Sequence, residues 1–239
     1  MRYLGSKNRI SKYIVPIIQG YINKDTKGYI EPFVGGANII DKINCKHRYG
    51  SDIHENLICL LKQAQIDYTI FPPKITEDDY YTVRDNKQDY PNWYVGLVGF
   101  MSTFGNKYFR GIARNKTDGI QEYYTKSINN LIKQIPHITN VKFKCCEFQD
   151  INMNIKNYVI YCDPPYKNTT KYNTEEFPYE DFYDWCRKMS KNNTVLISEY
   201  DMPNDFECIW KKKIKISLDS KRKANDVKNN RIEKLFKAK

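Results

Sequence analysis

Four consecutive residues, Asp163, Pro164, Pro165 and Tyr166, follow an apolar run at 158–162 that is typical of a buried strand. A carboxylate and a backbone carbonyl placed side by side can each accept one N–H of an aromatic amine and so free its delocalised lone pair for methyl transfer. Such a site acts by orientation and electrostatic preorganisation, without a covalent nucleophile. The two prolines fix the direction of the carbonyl, and the tyrosine ring offers a stacking surface. The alternative is an ordinary strand end with a rigid turn.

A glycine-containing turn and a second acidic strand end precede these residues. A short strand at 28–31 leads into Gly35 and Gly36, after which a helix is predicted to open at about Asn38. The turn departs from the Gly-x-Gly-x-x-Gly pattern of dinucleotide-binding folds, but it lets a ligand lie against the backbone. Asp52 ends the next predicted strand about 20 residues beyond Pro32, which suits a carboxylate that binds ribose hydroxyls. The alternatives are that Gly35 and Gly36 form an ordinary glycine turn and that Asp52 only caps the end of its strand.

Strands and helices alternate along most of the chain. Strands are predicted at 47–51, 141–143, 158–162 and 195–198, and helices at 6–21, 55–66 and 179–189. This alternation predicts an α/β fold with a mostly parallel, doubly wound sheet, in which ligands bind at the carboxyl ends of the strands. The strand ends near Glu31, Asp52 and Asp163 should therefore converge. Residues 70–140 differ in texture, with Pro72, Pro73 and an aromatic, basic cluster, and indicate an inserted module.

Positive charge is concentrated near the end of the chain. The net charge is +11, and residues 211–239 contain twelve basic residues against three acidic ones. Apolar residues at strand spacing near 214–218 and 232–236 predict two strands around a basic loop, which suits phosphate contacts. A second basic cluster at 107–116 alternates with aromatic residues, as base stacking requires. The alternative for the first basic segment is a solvated face without a partner, and the alternative for the cluster at 107–116 is an ordinary amphipathic hairpin.

Composition excludes several classes of protein. The chain has 239 residues, of which 41% are hydrophobic, and no run approaches the ~18 apolar residues of a membrane span. The first residues lack the apolar stretch of a signal peptide. The seven cysteines form no Cys-x-x-Cys pair and are expected to be reduced thiols of a cytoplasmic protein. Three scattered histidines predict no metal site.

The motifs together resemble one known family, the Dam-type DNA adenine N6-methyltransferases, particularly their phage and bacterial branch. The residues that carry the resemblance occur in the family's order at 3–7, 31–37, 52–53, 147–150, 163–166 and 197–200. The resemblance implies a Rossmann-like, S-adenosylmethionine-dependent methyltransferase sheet with an inserted small, mainly helical DNA-recognition domain. We expect the catalytic domain at 1–54 and 141–239 and the target-recognition domain at 55–140.

The resemblance also implies site residues. Lys7 would pair with the carboxylate of S-adenosylmethionine, Asp52 would bind its ribose, and Ile53 and Phe148 would flank its adenine. The full set expected at the donor is Tyr3, Lys7, Pro32, Phe33, Gly35, Gly36, Asp52, Ile53, Phe148 and Asp163. The set expected at the target adenine, flipped from the duplex, is Asp163, Pro164, Pro165 and Tyr166.

The expected partner is double-stranded DNA, bound by a monomer, with a dimer on DNA as the alternative. The candidate DNA contacts are Arg2, Asn106, Lys107, Arg110, Arg114, Lys221, Arg222 and Lys223. Arg110 is the candidate reader of guanine, because a bidentate arginine is the commonest base contact; a phosphate contact is the alternative.

Two other functions remain open from the sequence. A related turn serves RNA and protein-amide methyltransferases, although the inserted module and the basic segments favour a long duplex. A catalytically silent DNA-binding protein is the second alternative, against which the intact Lys7, Asp52, Asp163 and Tyr166 speak.

Overall fold

A computed structural model describes residues 1–114, 120–167, 177–215 and 230–239. Seven strands of this described part form one sheet in the order β3-β2-β1-β4-β5-β7-β6. The strands are β1 (Gly28–Glu31), β2 (Arg48–Asp52), β3 (Val141–Cys145), β4 (Tyr158–Cys162), β5 (Thr194–Glu199), β6 (Phe206–Lys215) and β7 (Asn230–Ala238). Strands β1 to β5 run parallel, whereas β7 is antiparallel to both of its neighbours. The predicted α/β class and the mostly parallel sheet are confirmed.

Six α-helices flank the sheet or fill the inserted segment in the described residues. They are α1 (Ser11–Gly20), α2 (Glu55–Ile66), α3 (Glu77–Asp85), α4 (Asn92–Met101), α5 (Ile120–Ile138) and α6 (Tyr179–Ser190). Short 3-10 turns lie at Lys7–Arg9, Ile40–Lys42, Lys87–Asp89, Phe104–Asn106 and Phe148–Asp150. The predicted helices at 55–66 and 179–189 are confirmed to within one residue, and the segment predicted at 6–21 is a 3-10 turn followed by α1. None of these helices is long and apolar enough to cross a membrane.

The strand order creates the crevice in which a ligand can bind. From β1 the chain passes to β2 on one side, whereas β4 pairs with β1 on the other side. Loops therefore leave the carboxyl ends of β1 and β4 in opposite directions, and the crevice of a doubly wound sheet opens at such a switch point. The residues after β4 are those of the 163–166 turn.

Both faces of the sheet are buried. On β4, Val159 and Tyr161 belong to a core cluster that also contains residues of α1, α2, α4 and α5. The alternate residues Ile160 and Cys162 belong to a second cluster, which is filled by α6. Because side chains of a strand alternate between faces, burial on both sides explains the continuous apolar run at 158–162.

The predicted helix opening at about Asn38 is wrong. The chain forms only the 3-10 turn Ile40–Lys42, because the backbone is already extended at Ile43, with φ −85° and ψ 125°. The segment instead folds back on itself and buries Val34, Ala37 and Ile40 in the first core cluster.

The described residues of 70–140, the segment predicted as an inserted module, are mainly helical. They contain α3 to α5, and an isolated bridge between Thr103 and Ile112 closes a short hairpin between α4 and α5. Helix α3 begins with a capping box, in which Thr76 and Asp79 bond reciprocally. Helix α2 packs both on β2 and β3 and on α4 and α5. The domain boundary at residue 55 stays a prediction.

Strands β6 and β7 form a hairpin that extends beyond the site edge of the sheet. Glu199, the last residue of β5, lies opposite Lys234 of β7. The earlier residues of β7, 230–233, and their partners 212–215 on β6 therefore project past the carboxyl end of β5. The strand predicted near 232–236 is confirmed as part of β7; the strand predicted near 214–218 overlaps the end of β6, which begins earlier, and its residues 216–218 lie outside the described residues. The loop residues Lys221, Arg222 and Lys223 lie outside the described residues.

Candidate active site

Asp163 and Lys7 form an ion pair at the end of β4. The Lys7 Nζ lies 3.1 Å from Asp163 Oδ1, and the two side chains are 11% and 20% exposed. Lys7 comes from the 3-10 turn Lys7–Arg9, whose start is capped by Ser6 Oγ, which accepts the Asn8 N–H at 3.2 Å. Residues 156 positions apart in the chain thus meet at the predicted site.

Burial and neighbouring charge set the protonation of this pair. Burial raises the pKa of Asp163 to about 6, and the negative charge of Glu233 acts in the same direction, while Lys7 opposes both. Burial disfavours the charge on Lys7, but Asp163 and Glu233 outweigh it and raise the pKa of the ammonium. At neutral pH Asp163 is therefore ionised and Lys7 is charged. A carboxylate in this state can accept an amine N–H.

Tyr166 is enclosed beside this pair. Its hydroxyl donates to Glu233 Oε2 at 3.0 Å, and its ring meets Tyr200 edge to face with centroids 4.5 Å apart. The Lys7 Nζ lies 4.2 Å from the ring centroid, which is the distance of a cation–π contact. The predicted stacking of a flipped adenine on this ring stays a prediction.

The two prolines are held by contacts on either side of the turn. Pro164 is buried and Pro165 is exposed, and the Pro165 carbonyl accepts the Tyr179 hydroxyl at 3.0 Å. The next residue, Lys167, donates its N–H to Glu199 Oε2 at 3.2 Å. Contacts from α6 and β5 therefore fix the backbone that carries the Pro164 carbonyl.

A buried carboxyl group ends β1 next to β4. Glu31 is almost completely buried, and its Oε1 accepts the Tyr29 hydroxyl at 2.6 Å. Burial raises the pKa of Glu31 well above its ordinary value, and the negative charge of Asp163 adds to that rise. The expected convergence of acidic strand ends is confirmed for Glu31 and Asp163.

Asp52, the last residue of β2, holds the glycine turn. Its Oδ2 accepts the Gly35 N–H at 3.0 Å and its Oδ1 accepts the His54 N–H at 3.1 Å. Burial raises the pKa of Asp52, although these backbone hydrogen bonds oppose the rise. The neighbouring Ile53 is 71% exposed. A carboxylate next to an exposed apolar side chain offers partners for a ribose and for a purine ring.

Tyr3 packs closely on the glycine turn. A Cβ at Gly35 would lie 2.8 Å from the Tyr3 ring, and one at Gly36 would lie 2.7 Å from the Tyr3 Cβ. Gly35 also has a φ of +47°, which disfavours other residues. Both glycines are therefore required for Tyr3 to lie over the turn, where the donor's methionine part is expected.

Phe33 and Phe148 pack on each other near the same edge. Their ring centroids are 5.8 Å apart, and Phe148 also meets the rings of Phe182 and Trp185 edge to face. Phe148 is only 5% exposed, so its ring is part of the second core cluster. Its expected place beside the donor's adenine stays a prediction, as does the role of the half-buried Phe33 and of the buried Pro32.

The donor set fits S-adenosylmethionine chemically. The Lys7 ammonium suits the carboxylate of its methionine part, the Asp52 carboxylate suits the ribose hydroxyls, and exposed Ile53 suits a purine face. The described residues contain no group of three or more His, Cys, Asp or Glu side chains that could hold a metal ion.

The candidate DNA contacts differ in whether their side chains bond to other groups of the protein. Arg2, Lys107 and Arg110 are exposed. Asn106 is buried, and its Nδ2 donates to the Phe100 carbonyl at 2.8 Å. Both guanidinium ends of Arg114 donate to Glu77, at 2.7 and 2.8 Å. Asn106 and Arg114 thus bond to groups of the protein itself, and their expected DNA contacts stay predictions.

Sequence reasoning did not place Glu233 at the site, where it contacts Tyr166 and Lys7. In the basic segment 211–239 this residue appeared only as one of three charges that lower the net charge. A glutamate at strand spacing between Ile232 and Leu235, with basic residues on either side, was the available signal. The segment 197–200 that resembles the family contains Glu199 and Tyr200, for which the sequence alone predicts no role.

Comparison with known proteins shows the family. Residues 3–228 match the family described as D12 class N6 adenine-specific DNA methyltransferase. The type II methyltransferase M.MjaIII of Methanocaldococcus jannaschii is 24% identical, with 86% of this chain and 85% of that protein covered. M.CviBI of Paramecium bursaria Chlorella virus NC1A is 25% identical over 75% of both chains.

A third relative is much longer. The type II methyltransferase M.FokI of Planomicrobium okeanokoites is 25% identical over 211 residues, which cover 78% of this chain but only 31% of that protein. The resemblance to DNA adenine N6-methyltransferases is thus confirmed, and so is S-adenosylmethionine as the methyl donor of the family. The chain belongs to the D12 class N6 adenine-specific DNA methyltransferases.

Proposed function

We propose that this chain transfers a methyl group to the N6 amine of an adenine that it flips out of duplex DNA, and that Asp163 and the Pro164 carbonyl orient that amine. The observation that carries the proposal is the carboxylate of Asp163 at the switch point of the sheet, 3.1 Å from the Lys7 Nζ. The rigid turn that follows it presents a carbonyl from a buried proline.

The donor binds along the carboxyl ends of β1 and β2. Asp52 accepts hydrogen bonds from the ribose hydroxyls, Ile53 covers the purine ring, and Lys7 pairs with the carboxylate. When bound, S-adenosylmethionine supplies an electrophilic methyl group, whose bond to sulfur breaks with both electrons remaining on the sulfur. Lys7 lies between the donor and target sides, because the same ammonium contacts Asp163.

The amine is activated by two acceptors. Asp163 and the Pro164 carbonyl each accept one N–H, so that the nitrogen lone pair leaves conjugation with the ring and forms the new N–C bond. The nitrogen then releases one proton, which Asp163 accepts and passes to solvent. The site thus supplies orientation and electrostatic preorganisation.

Base flipping follows from the geometry of the target. The reacting nitrogen lies inside the duplex, and the carboxylate that must reach it is only 20% exposed, so the adenine has to leave the stack. Arg2, Lys107 and Arg110 are exposed cations that suit phosphates or base edges. Tyr166 supplies the ring on which the extruded base stacks.

The experiment that tests this function compares nucleic acids directly. Purified protein is incubated with S-adenosylmethionine and with unmethylated duplex DNA, single-stranded DNA or RNA, and nucleosides are analysed by mass spectrometry. We expect N6-methyladenine in duplex DNA and none after Asp163→Ala. A signal in RNA alone would identify an RNA methyltransferase, and DNA binding without any product would identify a silent binding protein.

A further inference from the structure

Glu233 enters the site from the C-terminal hairpin. It lies on β7 in the part that projects beyond the end of β5, opposite Lys212 of β6. Although most charges of this segment are basic, the Glu233 side chain is only 15% exposed. A carboxylate is rarely buried to this degree without partners, so its contacts indicate why it is there.

The Glu233 carboxylate contacts three groups of the site. Its Oε2 accepts the Tyr166 hydroxyl at 3.0 Å and lies 3.7 Å from the Lys7 Nζ. Its Oε1 accepts the Tyr200 hydroxyl at 3.5 Å. One side chain of the hairpin is thus joined to the aromatic residue of the 163–166 turn and to the cation that pairs with Asp163.

These contacts restrict both partners. A tyrosine ring whose hydroxyl is anchored cannot swing about its side-chain bonds, and a buried hydroxyl without a partner is costly. The Lys7 ammonium lies between two carboxylates, at 3.1 Å from Asp163 and 3.7 Å from Glu233, and 4.2 Å from the centroid of the Tyr166 ring. Glu233 therefore fixes the ring and the cation relative to each other.

We infer that Glu233 is a positioning residue for methyl transfer, which holds the Tyr166 ring and the Lys7 ammonium where the flipped adenine and the donor meet. It acts through these two residues and needs no contact with either substrate. The inference rests on the proposed function. It also gives the C-terminal hairpin a part in the reaction in addition to its expected contacts with phosphates.

The experiment compares two variants of Glu233 with matched variants of Glu207. Glu233→Ala removes both the charge and the acceptor, whereas Glu233→Gln keeps an acceptor for the Tyr166 hydroxyl. Glu207 is an exposed glutamate on β6 of the same hairpin, so Glu207→Ala and Glu207→Gln control for the loss of a negative charge from the hairpin away from the site. Thermal unfolding of each variant checks its fold.

Single-turnover rates at saturating donor and DNA measure positioning. We expect Glu233→Ala to lower the rate by about tenfold to a hundredfold, since misplaced reacting groups cost rate more than binding. Donor affinity, measured by calorimetry, should change less than about threefold, because Lys7 stays available for the donor carboxylate. Glu233→Gln should keep most of the wild-type rate, because its amide oxygen still accepts the Tyr166 hydroxyl. If Glu233 acted only through its charge, Glu233→Gln would be as slow as Glu233→Ala.

A double-mutant cycle tests the link to Tyr166. If Glu233 acts by holding the Tyr166 hydroxyl, Tyr166→Phe removes the same contact, and the double variant with Glu233→Ala should be scarcely slower than Glu233→Ala alone. Rate losses that multiply fully would show that the two residues act independently and would overturn the inferred link.

A readout without donor or DNA completes the test. The free protein is labelled with 13C at its aspartate carboxyl carbons, and the resonance of Asp163 is identified because it disappears in Asp163→Asn. Burial raises the pKa of Asp163 to about 6. Because the charge of Glu233 raises this pKa, Glu233→Gln should move the NMR titration of Asp163 to lower pH, and Glu207→Gln should leave it in place. An unmoved titration would contradict the contact.

Different results would contradict the proposed function and the positioning role of Glu233. If the wild-type protein methylates duplex DNA and Glu233→Ala transfers at the same rate, the positioning role is wrong and the function stands. If the wild-type protein methylates no nucleic acid, the proposed function is wrong and the inference falls with it.

Discussion

Asp52 and Asp163 stand at the carboxyl ends of two strands of one sheet, but they are held in different ways. Asp52 is bound by backbone N–H groups of Gly35 and His54, the second of which is two residues away. Asp163 is bound by the side chain of Lys7, which is itself contacted by Glu233. The donor side of the site is thus a feature of local backbone, whereas the target side is assembled from distant side chains.

This difference has a chemical reason. Backbone hydrogen bonds keep the Asp52 carboxylate in one orientation, which suits a carboxylate that only binds hydroxyls. Side-chain partners make the state of Asp163 adjustable, because moving Lys7 or Glu233 changes both its pKa and its freedom to accept an amine N–H. A group that must accept a proton during the reaction benefits from such control.

The largest expected effect is at Asp163. Asp163→Asn replaces an acceptor by an amide and should lower the single-turnover rate by about 10²- to 10³-fold or more, with DNA affinity in a filter-binding assay changed little. Asp201→Asn is the matched control, because Asp201 is 91% exposed beyond the end of β5. A normal rate for Asp163→Asn would contradict its role.

The second effect concerns Asp52. Asp52→Asn should weaken donor binding by about tenfold to a hundredfold, the equivalent of one charge-assisted hydrogen bond, while the rate at saturating donor stays close to that of the wild type. Calorimetry with S-adenosylmethionine measures the affinity. Unchanged donor affinity would show that Asp52 only holds the Gly35 turn.

The third effect is a shift with pH. In the free protein the carboxyl group of Asp163 has a pKa of about 6 and Lys7 lowers it. Because only the ionised form accepts the amine, kcat/KM should rise with pH through about 6 in the wild type, and in Lys7→Met the rise should move to higher pH. Glu233→Gln should move it to lower pH, so the two variants bracket the wild type. Shifts in the same direction would contradict the charge arrangement.

The smallest effect is at Tyr29, which bonds Glu31 beneath the site at 2.6 Å. Tyr29→Phe should lower the free energy of unfolding by about 1–3 kcal/mol, because it removes the partner of a buried carboxyl group. Transfer should stay within a few-fold of wild type, since neither residue is expected to touch a substrate. Urea unfolding measures the first quantity, and a large loss of rate at full stability would assign Glu31 to the chemistry.

The parts of the fold that depend on local patterns could be predicted from the sequence. Strand β4 and the turn after it follow from an apolar run that ends in Asp163 and two prolines, and helix α2 follows from its periodicity. The helix expected at Asn38 could not be excluded by such patterns, because the backbone becomes extended at Ile43, whose side chain is buried in the first core cluster by distant parts of the chain.

The candidate site could also be predicted only in part from the sequence. Asp52 and the turn at Gly35 could each be placed at the carboxyl end of a strand, because each follows or ends a predicted strand. The contacts of Glu233 with Lys7 and Tyr166 could not, because they depend on how far the hairpin of β6 and β7 projects beyond β5. The buried position of Asn106 could not be predicted either, because it also depends on tertiary packing. Phe100 and Tyr123 bond to its side chain only once α4 and α5 have packed together.

The most direct test of the division between the two carboxylates measures both quantities on both variants. Single-turnover rate at saturating donor and calorimetric donor affinity are determined for Asp163→Asn and Asp52→Asn with one preparation of duplex DNA. We predict a crossed result, in which Asp163→Asn loses rate far more than donor affinity, while Asp52→Asn loses donor affinity far more than rate. Parallel losses of rate and affinity in both variants would contradict the account.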